Sequence, residues 1–154
     1  MTYFYADSSA LVKRHITEIG TAWFRTLVDP SNSNIISTSR LSVIEVFSAF
    51  NRRVHQGILS TVDYMRVTTD FEVLCRTEYE FAELTTPVIE RACRILENHP
   101  LRAYDAVQLA SAMITNDTLI STGEQPLIFL AADIRLLNAA QVEGLATDNP
   151  NLHP

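Results

Sequence analysis

Four short strand-like runs, each followed by a longer stretch of helical periodicity, constrain this chain more than any other feature. Residues 3 to 6 (YFYA), 34 to 38 (NIIST), 79 to 84 (YEFAEL) and 127 to 132 (LIFLAA) have strand length, and most are rich in aromatic or β-branched residues. Between them, residues 40 to 56 carry an apolar stripe at Val43, Phe47, Phe50 and Val54 that stops at Gly57. A further helix is predicted from Thr61 to Cys75. Pro87 fits the first turn of another, and 101 to 116 (LRAYDAVQLASAMITN) reads as a helix after Pro100. Strands that alternate with helices predict an α/β fold with a mainly parallel central sheet. The polar segment 115 to 126 (TNDTLISTGEQP) reads as a mobile loop.

Two of the strand runs end on an aspartate where helix-forming residues begin. Asp7 follows "TYFYA" and Asp133 follows "LIFLAA". Either residue could simply be a helix N-cap, accepting a bond from an orphan backbone N–H. In a parallel sheet, however, both would lie on the carboxyl edge, where ligands bind. Asp105 is the only charged residue between Ala103 and Asn116, on a helix otherwise built of apolar and uncharged polar residues. Burial there would strip its carboxylate of water unless a cation or strong donor stood near, and Arg102, three residues earlier, is the simplest structural partner. Glu45 falls nearly opposite the Val43, Phe47 and Phe50 stripe. It reads either as a solvated surface residue or, given small neighbours such as Ser42, Ser48 and Ala49, as a ligand with room for a metal or phosphate.

Several carboxylates converging on one edge repel one another and stay ionised together only if cations join them. Oxygen ligands without His or Cys select Mg2+ or Mn2+, ions suited to phosphodiester hydrolysis. The net charge of −6 argues against a broad basic nucleic-acid surface, yet four such carboxylates would account for −4 of it and leave −2 elsewhere. Cys75 and Cys93 lie in helical sequence without a C-x-x-C pattern and are expected to be buried, reduced thiols. With 154 residues, no leader-like N-terminus and no apolar run near the roughly 18 residues of a membrane span, a single cytoplasmic domain over 1–154 is expected, with no membrane partner.

These residues resemble the PIN-domain ribonucleases and, among them, the VapC-type toxins of toxin–antitoxin pairs. "YADSSALVKR" resembles the family's opening strand with its first acidic residue, Asp7, and "STSRLSVIEVFSAF" the segment with its glutamate, Glu45. "LRAYDAVQLASA" resembles the L-x-x-x-D-A-x-x-L-A signature around Asp105, and "FLAADIRLLNAA" the closing strand and helix with Asp133. The separations of 38, 60 and 28 residues also agree. One departure is Ala131, where many relatives carry a Thr or Ser hydroxyl.

The resemblance implies a three-layer α/β/α PIN-like fold and an endoribonuclease dependent on Mg2+ or Mn2+, with Asp7, Glu45, Asp105 and Asp133 as catalytic metal ligands. It also implies a homodimer and a small cognate antitoxin that covers or enters the site. Ser8 is placed to orient Asp7 or to cap, and Lys13, Arg14, Arg40 and Arg102 are candidate RNA phosphate contacts or ordinary solvated cations. Two other readings stay open: a phosphoacceptor receiver-like domain, against which Asp7 stands alone without an acidic neighbour, and a catalytically weak PIN-fold module that binds RNA or protein, for which Ala131 speaks. Serine hydrolase and nucleotide-binding classes fail for want of G-x-S-x-G, Walker A and G-x-G-x-x-G motifs.

Overall fold

A computed structural model describes residues Met1–Pro154. Its sheet contains β1 (Tyr3–Ala6), β2 (Ile35–Ser39), β3 (Tyr79–Ala82), β4 (Ile128–Leu130) and β5 (Ala146–Asp148), in the order β3-β2-β1-β4-β5. Every neighbouring pair is parallel, with Phe4 opposite Ile36 on one side and Ile128 on the other. Seven α-helices flank it: α1 (Ser8–Leu11), α2 (Thr21–Leu27), α3 (Leu41–His55), α4 (Thr61–Thr77), α5 (Thr86–Asn98), α6 (Ala103–Ser121) and α7 (Ile134–Val142). None is long and apolar enough to cross a membrane.

Strand alternation builds the three layers. Phe4 and Ala6 of β1 face a cluster with Phe24, Val46, Phe50 and Phe71 from α2, α3 and α4, whereas Tyr5 faces a second cluster with Ile95, Leu109 and Leu136 from α5, α6 and α7. The molecule therefore has the α/β/α architecture expected. The chain builds outward from β1 through β2 to β3, then returns to place β4 on the other side of β1. This reversal opens a crevice at the carboxyl ends of β1 and β4, the place where such sheets bind ligands.

Three expectations are corrected. The segment 115 to 126 is not a loop throughout, because α6 continues to Ser121. Thr115 and Thr118 return their hydroxyl protons to the carbonyls of Ser111 and Ile114, so their polarity is absorbed within the helix. On α3 the buried residues are Ser42, Val46, Ala49 and Phe50, while Val43 and Phe47 pack at the margin of the core. The buried face is rotated toward the small residues, which brings Glu45 to the edge of the interface rather than opposite it. Cys93 is exposed and Cys75 half-buried, so neither is an enclosed thiol.

Gly20 adopts φ 85°, and a Cβ there would lie 2.3 Å from the Pro150 carbonyl oxygen. A residue without a side chain lets the turn at Pro150–Leu152 close over the start of α2. Asn151 of that turn reaches the cleft described next.

Candidate active site

Asp7 is fixed from both sides. Its N–H donates to the Leu130 carbonyl at 2.9 Å, tying the residue to the end of β4. Its Oδ2 caps α1, accepting Ser9 N–H at 3.2 Å and the Ser9 hydroxyl at 2.6 Å. The same Ser9 oxygen accepts the Ala132 N–H at 2.9 Å. Asp7 is a cap, as one reading expected, but a cap with no cation beside it. Burial raises its carboxyl above the ordinary value, the Ser9 and Ser8 bonds oppose that rise, and the charge of Asp105 adds to it.

Glu45 reaches the same edge from α3. Its Oε1 accepts Gln108 Nε2–H at 2.6 Å, and its Oε2 lies 3.4 Å from the Ser8 hydroxyl, which also stands 3.5 Å from Asp7 Oδ1. Burial pushes the Glu45 carboxyl up to about 7, Gln108 and Ser8 pull it down by hydrogen bonding, and the charges of Asp7 and Asp105 push it up. Glu45 is thus no ordinary solvated residue.

Asp105 lies in the first turn of α6, half-buried. None of the ion pairs in the chain includes it, so the structural pairing with Arg102 is not formed. Burial and then the charge of Asp133 raise its carboxyl, opposed by a backbone bond at Arg102 and the charges of Arg102 and Arg135. Asp133 caps α7, accepting Arg135 N–H at 2.8 Å and Leu136 N–H at 3.4 Å on Oδ1, with Arg135 Nη2 3.5 Å from Oδ2. It lies outside the cleft lining and acts on Asp105 through its charge. Ala131 is wholly buried beside Tyr5 and Phe129 and brings no polar atom to the site.

Glu45 and Asp105 line a cleft of about 670 Å³, with Asp7 just behind Ser8 and Ser9 in its wall. No three His, Cys, Asp or Glu side chains stand close enough to enclose a metal ion as they are placed. The donor chemistry nonetheless fits a hard divalent cation: three carboxylates without an ion-pair partner, each raised by burial, with the charge of Asp105 acting on Asp7 and Glu45 and that of Asp133 on Asp105, are what a cation would relieve.

The cations sort clearly. Lys13 lines the cleft but is almost wholly buried, donating to Glu18 Oε1 at 3.0 Å and the Ile19 carbonyl at 2.8 Å. Arg53 takes the other oxygen of Glu18 at 3.1 Å. Arg14 lies outside this cleft, 2.7 Å from Glu78, and Arg40 also lies outside it, 3.3 Å from Glu83 and over the Phe81 ring. Arg102 and Arg52 are exposed in the cleft with no carboxylate partner. Sequence reasoning missed Arg52, Ser9 and the exposed Tyr104 at the cleft, and Gln108 buried behind Glu45. For Arg52 the signal was available, since it lies seven residues after Glu45, two helical turns along the same face.

The PIN domain model matches residues 4–132. This chain belongs to the PIN domain family. As a PIN domain it is 29% identical over 154 residues, the whole of both chains, to ribonuclease VapC45 of Mycobacterium tuberculosis. In fold it is similar to VapBC2 of Rickettsia felis, solved bound to a DNA fragment from its promoter, with TM-score 0.64, 8% identity and coverage of 96% of this chain and 98% of that one. It is also similar to M. tuberculosis VapC20, a sarcin-ricin loop cleaving toxin, with TM-score 0.62, 16% identity and coverage of 98% and 99%. Membership of the PIN family sets aside the receiver-like alternative.

Proposed function

We propose that this PIN domain is an endoribonuclease dependent on Mg2+ or Mn2+ and the toxin of a type II toxin–antitoxin pair, acting as a homodimer in the cytoplasm. The observation that carries the reading is the set of three carboxylates at one edge of the sheet, Glu45 and Asp105 in the cleft and Asp7 joined to them through Ser8, none in an ion pair and each raised by burial and by a neighbouring carboxylate. The family match and the likeness to a ribonuclease VapC over the whole chain point the same way.

Asp7, Glu45 and Asp105 would hold the cation, with Asp133 reinforcing the negative field from the α7 cap. When bound, a divalent ion supplies Lewis-acid polarisation of the phosphate and an activated water. The chain itself does the rest. Ser9 holds Asp7 in place, Gln108 holds Glu45, and Arg52 and Arg102, exposed in the cleft, contact RNA phosphates. Lys13 supports the wall of the cleft through Glu18 instead of contacting RNA. The likeness to a VapBC pair supports a small antitoxin as partner, and a cationic antitoxin side chain, Arg above all, would satisfy the unpaired carboxylates.

The test is cleavage of structured and unstructured RNA by the purified protein. EDTA should abolish cleavage and Mn2+ or Mg2+ restore it. Undiminished cleavage in metal-free buffer overturns the mechanism, and RNA binding without cleavage under every metal condition makes the chain a PIN-fold binding module.

A further inference from the structure

Behind Glu45 runs a buried chain of hydrogen bonds whose directions are all fixed. The Ala6 carbonyl has no proton to give, so the Thr38 hydroxyl donates to it at 2.7 Å. That commits the only proton of Thr38, and at the 2.6 Å contact between Thr38 Oγ1 and Ser42 Oγ the donor is therefore Ser42. Ser42 has then spent its own proton and can only accept from Gln108 Nε2–H, 2.8 Å away. From the opposite side the Tyr5 phenol donates to Gln108 Oε1 at 2.9 Å. Tyr5 is wholly buried, and burial holds its proton on far above the ordinary phenol range.

Both ends set the Gln108 amide the same way round. Flipping it would face the Tyr5 donor with an NH2 group and turn an oxygen toward a hydroxyl whose proton is already committed. The second Nε2 proton thus points at Glu45 Oε1 across 2.6 Å. Thr38, Ser42, Tyr5 and Gln108 are all wholly buried, so no water competes for these bonds.

We infer that Gln108 is the positioning residue of this site: locked by Tyr5 and Ser42, it engages Oε1 of Glu45 at 2.6 Å and leaves Oε2, held only by the longer 3.4 Å contact from the Ser8 hydroxyl, as the oxygen that meets a ligand. Glu45 then meets its ligand through one oxygen in a fixed direction, and a donor behind a carboxylate sets both its orientation and its basicity. The consequence for metal rests on the proposed function, whereas the lock is a property of the metal-free chain.

The full-length protein tests both parts. In metal-free protein, NMR of the Gln108 side-chain amide should show slow exchange and one proton shifted downfield, and Glu45→Ala should move that proton back. An amide exchanging at the solvent rate, or indifferent to Glu45→Ala, overturns the lock. Gln108→Met keeps the length of the side chain and removes both donors. It should weaken Mn2+ binding in calorimetry by about 10- to 100-fold and lower kcat on RNA with KM unchanged. Tyr5→Phe frees one end of the amide and should give a smaller loss of the same kind, which covers the case in which Gln108→Met does not fold. Wild-type Mn2+ affinity and kcat in either folded variant overturn the positioning role. A wild-type protein that neither binds Mn2+ nor cleaves RNA overturns the metal-dependent reading instead, and the amide spectrum still decides the lock.

Discussion

The Ser9 hydroxyl donates to Asp7 Oδ2 across 2.6 Å while accepting the Ala132 N–H at 2.9 Å, so one side chain joins the end of β1 to the end of β4. The two strands are hydrogen-bonded neighbours whose ends would otherwise splay into separate helices. Ser9→Ala removes a bond to a charged acceptor and leaves Ala132 N–H without a partner. The expected cost is about 2 kcal/mol, read as a fall in Tm of about 4–8 °C in a chain of this size. Mn2+ affinity should fall with it, because Asp7 Oδ2 keeps only the Ser9 N–H and the carboxylate gains freedom to turn. A Tm within about 1 °C of wild type would show that the junction is held by the β-ladder alone.

Arg52 and Arg53 are adjacent in sequence and opposite in role, since Arg53 is committed to Glu18 and Arg52 is not. Arg52→Ala should weaken binding of an uncleaved RNA oligonucleotide in EDTA without regard to sequence. The slope of log K against log salt should shrink by about 0.7, the value for one phosphate contact on a single strand. Arg14→Ala, which breaks a pair with Glu78 outside the cleft, should leave the slope as it was. Equal slopes for wild type and Arg52→Ala would remove Arg52 from the RNA path.

Legibility from sequence followed the strength of each local signal. β1 and β4 were readable as buried apolar runs and β2 and β3 by their β-branched and aromatic residues, whereas β5, "ATD", has neither length nor apolar pattern and exists only by pairing with β4. Asp7 and Asp105 stood out because a carboxylate at a strand end or on an apolar helix is costly without a purpose, whereas Glu45, on an amphipathic helix, read equally as a solvated surface residue. The fate of the cations was not readable. Glu18 neutralises residues 5 positions before it and 35 after it, a pairing that only the tertiary fold creates. Gln108 looked like one polar residue in an apolar helix, and its partners Tyr5, Ser42 and Glu45 come from two other elements.

Two titrating groups pull stability in opposite directions with pH. In the metal-free chain Glu45 rises from an ordinary 4.5 to about 7, so the folded state holds its proton more tightly than the unfolded chain. Its contribution is present below the lower value and is lost as pH rises through the higher one. His15, caged edge-on by Phe50 and Phe71 with Nε2 unpartnered, falls from 6.5 to about 4, mainly through burial. Its contribution is present above the higher value and is lost as pH falls toward the lower. In EDTA, Glu45→Gln should therefore gain Tm relative to wild type as pH is raised across this window, and His15→Phe should gain as pH is lowered. Parallel curves for wild type and a variant would show that the corresponding group does not carry the dependence.

Asp105→Asn removes one charge from the crowded edge and keeps nearly the same shape. An amide is a poor substitute for an anionic ligand of a hard cation, so RNA cleavage should fall by at least about 100-fold. The metal-free protein should be no less stable and slightly more so, because both the burial of the carboxylate and its repulsion by Asp133 are relieved. At Mn2+ about 100 times the wild-type Kd, the wild type should gain about 2.7 kcal/mol by mass action, and a variant binding about 100-fold more weakly only about 0.4 kcal/mol. Thermal melts of both proteins with EDTA and with Mn2+ read these differences directly. If Asp105 served instead to pair with Arg102 in solution, the pattern would invert: the substitution would lower the metal-free Tm and leave the Mn2+ response intact. The absence of any ion pair at Asp105 in the fold places the expectation on the first pattern.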